Sequence, residues 1–97
     1  MAVCVTFNLA VDPNKMDDFL AAVKGAAPET RAYDGCQLFD IWIDQNTPGN
    51  VLFYEIWDSV AQQEKYLQWR TETGVMEALG GMLTAPPTIR YHDKFDG

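Results

Sequence analysis

The sequence predicts an α+β fold in the order β-α-β-β-α-β, and three features predict it. Residues 2–11 alternate strictly, with Val3, Val5, Phe7, Leu9 and Val11 on one side and Cys4, Thr6, Asn8 and Ala10 on the other. Met16, Phe19, Leu20, Val23 and Ala27 then recur at helical spacing. The stretch 51–70, VLFYEIWDSVAQQEKYLQWR, runs from strand chemistry directly into a capped helix.

The elements follow in order. The first strand has one bulky face and one small, partly polar face. Asn8 on the small face is either a solvent-facing strand residue or a hydrogen-bonding group beside a ligand. Asp12 is placed to cap the first helix, with Pro13 at its first position. Gly25 and Pro28 are expected to weaken that helix near its end, with Glu29, Thr30 and Arg31 adding a further turn. Arg31 is either a surface charge or a pocket cation, and the surface reading is preferred. Asp34-Gly35 is a turn.

Residues 36–43 form a strand that is apolar on both sides, with Leu38 and Trp42 on one face and Phe39 and Ile41 on the other. The loop 44–50 is rich in turn formers. The strand 51–57 is apolar except for Glu55, which is expected to bond to nearby backbone or to Arg90. Ser59 and Gln62 make a capping box for the second helix. A short apolar helix around Val75, Met76 and Leu79 ends at Gly80-Gly81. Pro86-Pro87 leads into a last strand over 88–92, with Ile89 and Tyr91 opposite Thr88, Arg90 and His92, and residues 93–97 form a frayed tail. This order is the ferredoxin-like arrangement, a four-stranded antiparallel sheet with helices on one face. One face of the 36–43 strand should meet the helices, and the other, on the open side of the sheet, is expected to meet a second copy in a two-fold homodimer.

Ninety-seven residues suit a single domain over 1–97. Twelve aromatic residues (three Trp, four Tyr, five Phe) favour a core or pocket built on rings. A net charge of −7 disfavours nucleic acid and anionic membrane surfaces as partners. With no membrane-length apolar run and no basic leader, a cytoplasmic location is expected, where Cys4 and Cys36 are expected to be free, buried thiols. A lone histidine, His92, gives no metal-ligand set, so no metal is expected.

The second helix carries the candidate site. At roughly 100° per residue, Val60 and Leu67 close one edge of an arc and Trp69 the other, with Gln63, Tyr66 and Arg70 between them. An ordinary core helix would place Leu or Ile in that middle row. Polar and amphipathic side chains there point to a helix covering a cavity. The alternatives for each residue are a core tyrosine at Tyr66, plain packing at Trp69 and a C-terminal helix cap at Arg70.

The segment Phe53-Tyr54-Glu55-Ile56-Trp57-Asp58-Ser59-Val60-Ala61, with Arg31-Ala32-Tyr33-Asp34-Gly35-Cys36 before it and a first strand ending at Asp12-Pro13, resembles the antibiotic biosynthesis monooxygenase domain. That family includes quinol monooxygenases and haem-degrading monooxygenases, all dimeric α/β-barrel proteins. The resemblance spans roughly residues 3–91. Tyr66 stands where many members have a histidine, and Glu77 stands where haem-degrading members have their ligating histidine. The resemblance implies a cofactor-independent monooxygenase acting with O₂ on a small aromatic: a phenol, anthrone or quinol. It implies catalytic roles for Asn8, Tyr66 and Trp69, and substrate binding by Trp57, Gln63 and Arg70. The alternative is a non-catalytic dimeric module that binds a small aromatic or serves as an accessory or stress-response protein. Gln63, Tyr66 and Arg70 turned into a cavity would favour the enzyme, and the same groups turned to solvent would favour the module.

Overall fold

A computed structural model describes residues 2–96. Met1 and Gly97, the ends of the expected domain and tail, lie outside the described residues. The elements are β1 (Val3–Ala10), α1 (Met16–Ala32), β2 (Cys36–Ile43), β3 (Asn50–Trp57), α2 (Val60–Glu72), α3 (Val75–Gly80) and β4 (Thr88–His92). The four strands form one antiparallel sheet in the order β2-β3-β1-β4, so the two central strands carry most of the pairing. The α+β, ferredoxin-like expectation holds.

Register follows side-chain alternation. Val3, Val5, Phe7 and Leu9 of β1 are buried, and they pair with Trp57, Glu55, Phe53 and Val51 of β3. These residues form the helix-facing side of the sheet. Phe19, Val23 and Ala27 of α1 pack onto it. Phe53 ties the layers together, with ring centroids 5.2 Å from Phe39, 6.0 Å from Phe7 and 6.3 Å from Phe19. Burial of this aromatic and aliphatic area is the main source of stability.

Local signals set the element ends. Asp12 accepts a hydrogen bond from the Asn14 N–H at 2.9 Å, capping a single 3₁₀ turn over Pro13–Lys15 that precedes α1. Residues 29–31 add the further turn expected, but Pro28 does not interrupt the helix, and α1 runs unbroken to Ala32. Its C-terminal turn is held there by Thr30, which is buried. Ser59 caps α2 as expected: the Gln62 N–H donates to Ser59 Oγ at 3.2 Å, and Ser59 Oγ–H donates to Gln62 Oε1 at 2.9 Å. The sheet's other face is open. It carries Leu38, Trp42 and Tyr54 beside Asn8, Thr6 and Arg90, and Trp42 is 59 % exposed. Among the described residues, no helix is long and apolar enough to cross a membrane.

Candidate functional site

A cavity of about 170 Å³ lies between the sheet and the helical layer. Its floor is Phe7, Phe39, Phe53 and Glu55 from the sheet. Its walls come from α1 (Phe19, Val23, Thr30), α2 (Tyr66, Leu67, Arg70) and α3 (Val75, Met76, Leu79). Most of this surface is hydrocarbon. The polar groups are few and are confined to Glu55 on one side and to Thr30, Tyr66 and Arg70 on the other.

The group on α2 is a closed network. Arg70 is only 3 % exposed. Its Nε–H donates to the Tyr66 hydroxyl at 2.9 Å, and its Nη2 donates to the Ala26 carbonyl at 2.8 Å and to Thr30 Oγ1 at 3.1 Å. Tyr66 and Thr30 share a short hydroxyl–hydroxyl bond of 2.5 Å. Arg70 Nη1 has only a long contact, 3.6 Å, with Glu29, which is 63 % exposed and solvated. The guanidinium also stacks 4.5 Å over the Trp69 ring. Buried charge is tolerated here because most of its donors are satisfied. Burial pushes the Tyr66 hydroxyl above its ordinary value, against the opposing pull of the Arg70 and Thr30 hydrogen bonds. The phenol therefore stays protonated near neutral pH.

Glu55 is the other polar feature. It projects from the middle of β3 onto the helix-facing side and is 2 % exposed. Trp57 Nε1–H donates to its Oε1 at 2.8 Å. Burial raises its pKa from the usual 4.5 to about 7, and the Trp57 hydrogen bond opposes the rise. Arg90, one expected partner, pairs with Thr6 on the other face of the sheet and cannot reach it.

The expected site residues divide into three groups. Tyr66 and Arg70 line the cavity. Trp57 and Trp69 sit behind them in an aromatic cluster with Tyr33: Tyr66 lies 5.1 Å from Trp57 and 6.1 Å from Trp69, centroid to centroid, and neither indole lines the cavity. Gln63 is fully buried but turns to the sheet edge, where its Oε1 accepts from the Tyr91 hydroxyl at 2.9 Å and its Nε2 finds no partner among the described residues. Asn8 is on the open face, opposite the cavity, because strand parity puts Phe7 and Leu9 inward instead. An Asn8–Tyr66–Trp69 cluster around one cavity is therefore not formed. Glu55 and Thr30 are the cavity groups that sequence reasoning passed over. The parity of 51–57 contained a signal for Glu55, since it falls in the Val51, Phe53, Trp57 row.

The thiols of Cys4 and Cys36 are free, but they are half-buried rather than buried as expected. Among the described residues, no three His, Cys, Asp or Glu side chains come together as a metal cluster.

Comparison with known proteins agrees with this architecture. A conserved protein from Methanosarcina mazei Go1 superposes with a TM-score of 0.90 at 19% identity, covering 98% of this chain and 94% of that one. A Pestalotiopsis microspora protein named "putative monooxygenase" is 28% identical over 98 residues, covering 99% of this chain and 82% of its own length. An uncharacterized Synechocystis protein is 23% identical over 90 residues, covering 93% of this chain, but the chain spans only 61% of that relative. The sequence profile of the antibiotic biosynthesis monooxygenase family matches residues 2–78, most of the chain. The chain belongs to the antibiotic biosynthesis monooxygenase family.

Proposed function

We propose that this protein is a monooxygenase that oxidises a small phenol or hydroquinone with O₂ inside the cavity between the sheet and α2. One observation carries the reading. Gln63, Tyr66 and Arg70, the polar row of α2, all turn inward, and two of them open onto an apolar cavity that the core has no packing reason to keep. The volume, about 170 Å³, is close to that of a cavity of roughly 150 Å³ known to hold benzene. It therefore favours a single substituted ring over a tricyclic anthrone.

The chemistry needs only a bound, ionised ring. A phenolate passes an electron to O₂, and the two radicals combine at a ring carbon. For a hydroquinone the balance is C₆H₆O₂ + O₂ → C₆H₄O₃ + H₂O. The substrate supplies all four electrons, one oxygen atom enters the ring and the other leaves as water. In this reading no cofactor takes part. Arg70, which lines the cavity, supplies the positive charge that stabilises the anion. Tyr66 donates to the same ligand oxygen when Thr30 turns its own proton towards the Tyr66 oxygen. Trp57 and Trp69 act behind the site by packing Tyr66 and Arg70. The phenyl walls exclude water and hold the ring.

Two further parts of the reading concern assembly and location. The exposed row of Leu38, Trp42 and Tyr54 fits a homodimer through the open sheet face. Two free thiols fit a reducing, cytoplasmic setting.

The test is oxygen uptake by the purified, metal-free protein with a panel of hydroquinones and anthrones and no added flavin. Uptake with hydroquinones above the no-protein rate, lost in Arg70→Met and retained in Asn8→Ala, is the expected result. No uptake across the panel, with phenols still bound, would instead make the protein a binding module.

A further inference from the structure

We infer that Glu55 is the acid–base residue of this cavity, taking the hydroxyl proton of a bound phenol and returning it to the peroxide formed on the ring. The argument begins with what Glu55 does not do. Among the described residues it makes no ion pair: Arg70, the cation of the same cavity, spends its donors on Tyr66, Thr30 and Ala26 and leans on Glu29. Its one hydrogen-bond partner among the described residues is the Trp57 indole, a neutral donor that fixes Oε1 at 2.8 Å. Oε2 accepts no hydrogen bond among the described residues, and Glu55 lines the cavity.

A buried carboxyl without a countercharge works against folding, and an apolar residue of similar size would favour it. Local rules broken in this way belong to working sites. The indole clamp is what a reacting group needs, because it fixes one oxygen and leaves the other for a ligand.

The titratable and charged groups on the surrounding elements are Cys36 on β2, Tyr66 and Arg70 on α2, Tyr91 on β4 and Arg31 on α1. The α3 residues that line the cavity are not titratable. Burial dominates these neighbours and leaves the carboxyl near 7, where a base and its conjugate acid are both populated.

The step balances as follows. The phenol O–H bond breaks and its proton goes to Oε2. The phenolate gives one electron to O₂, and the radical pair closes a ring C–O bond, leaving a peroxide anion. Glu55–H protonates that anion. The O–O bond then breaks with loss of water, carrying off the ring-carbon hydrogen and leaving a carbonyl.

The inference rests on the monooxygenase reading for its later steps, so the test separates the two. Phenol itself is the probe, bound to the whole protein and followed by calorimetry, since its hydroxyl does not ionise in water near neutral pH. Wild-type affinity is expected to rise about tenfold between about pH 6 and pH 8, as the ionised carboxylate replaces a neutral acceptor. Glu55→Gln, which keeps an oxygen for Trp57, is expected to lose that rise and to lower kcat for hydroquinone oxidation by about 100-fold or more. Trp57→Phe removes the donor that holds the carboxyl down, so the break in the affinity profile should move to higher pH, a shift that general structural damage does not produce.

A flat wild-type profile, no phenol binding at all, or a Glu55→Gln variant that keeps the rise each overturns the inference. Hydroquinone oxidation with a flat phenol profile removes Glu55 and leaves the monooxygenase. A Glu55-dependent profile without oxidation leaves Glu55 as the proton acceptor of a binding pocket and removes the monooxygenase.

Discussion

Trp57 Nε1 and Glu55 Oε1 lie 2.8 Å apart, two positions along one strand and on the same face, so one indole anchors the only carboxyl that lines the cavity among the described residues. The energetic consequence is a dependence of stability on pH. The folded carboxyl binds its proton more tightly than the unfolded one, at about 7 against 4.5. Between those values the native state holds a proton that the unfolded chain has released, so stability falls as pH rises. The stabilisation is fully present below about 4.5 and gone above about 7. At about 1.4 kcal/mol per pH unit, this buried group is worth about 3 kcal/mol across the window. Calorimetric melting of the wild type should show a lower Tm at pH 8 than at pH 5, by about the amount that 3 kcal/mol implies. Glu55→Gln should flatten that difference. A wild-type Tm that rises over the same range would contradict the burial assigned to Glu55.

Tyr66 and Thr30 share one short hydroxyl bond that also receives two donors from Arg70. Tyr66→Phe leaves Arg70 Nε and Thr30 without that partner inside the protein. A loss of about 1–3 kcal/mol is expected by denaturant unfolding. Thr30→Val on its own should cost a similar amount. The double variant should cost less than the sum of the two, because the same hydrogen bond is removed once. Strict additivity would mean that the two hydroxyls do not interact.

The parts of this fold that were legible from sequence are those governed by neighbours along the chain. Alternation in 2–11 and the Ser59–Gln62 cap each depend on residues a few positions apart, and both stand as expected. The inward row of Gln63, Tyr66 and Arg70 was legible for the same reason. Asn8 was misplaced because alternation gives two faces without saying which one the helices cover. That depends on the bulky row of Val3, Val5, Phe7 and Leu9 meeting α1, a long-range contact. Thr30 and the α3 wall were not legible at all. Their approach to Tyr66 joins segments 36 residues apart or is set by a chain reversal at Gly74, which has φ +82°.

Gly49 illustrates a close approach that only glycine permits. Its φ is +86°, its carbonyl accepts from the Val11 N–H at 2.8 Å, and a Cβ there would collide with the Val11 carbonyl. The obstacle is backbone, so it does not yield. Gly49→Ala should cost about 2 kcal/mol or more, through left-handed strain and loss of this link between the β2–β3 loop and the end of β1. Gly25→Ala, with open space around its position in α1, should be neutral or stabilising by up to about 1 kcal/mol. Equal effects of the two variants on urea midpoints would refute the distinction.

In the homodimer proposed for the open sheet face, Trp42 is the natural anchor, as the most exposed large aromatic of that face among the described residues. Trp42→Glu places a charge in the centre of the proposed interface. Sedimentation at micromolar concentration should then show a shift from dimer to monomer, with Kd raised about 30-fold or more, as for an interface hot spot of about 2 kcal/mol. Melting of the monomer should be little changed, because Trp42 contributes little to the core. A wild-type chain that sediments as a monomer at every concentration would remove the proposed interface.

Leu79 sets one boundary of the cavity and with it the size of ring that fits. It stands on α3, half-buried, packs against the core and lines the cavity. Because it is partly exposed, Leu79→Ala should cost less than the 2–5 kcal/mol typical of a fully buried leucine, about 1–2 kcal/mol. The space released adds to the existing 170 Å³. A naphthohydroquinone should therefore gain in kcat/KM relative to a benzohydroquinone, by about tenfold. A pocket mismatch of a few methylenes is worth about 1–3 kcal/mol. An unchanged ratio, with both substrates still oxidised, would place the ring elsewhere than beneath α3.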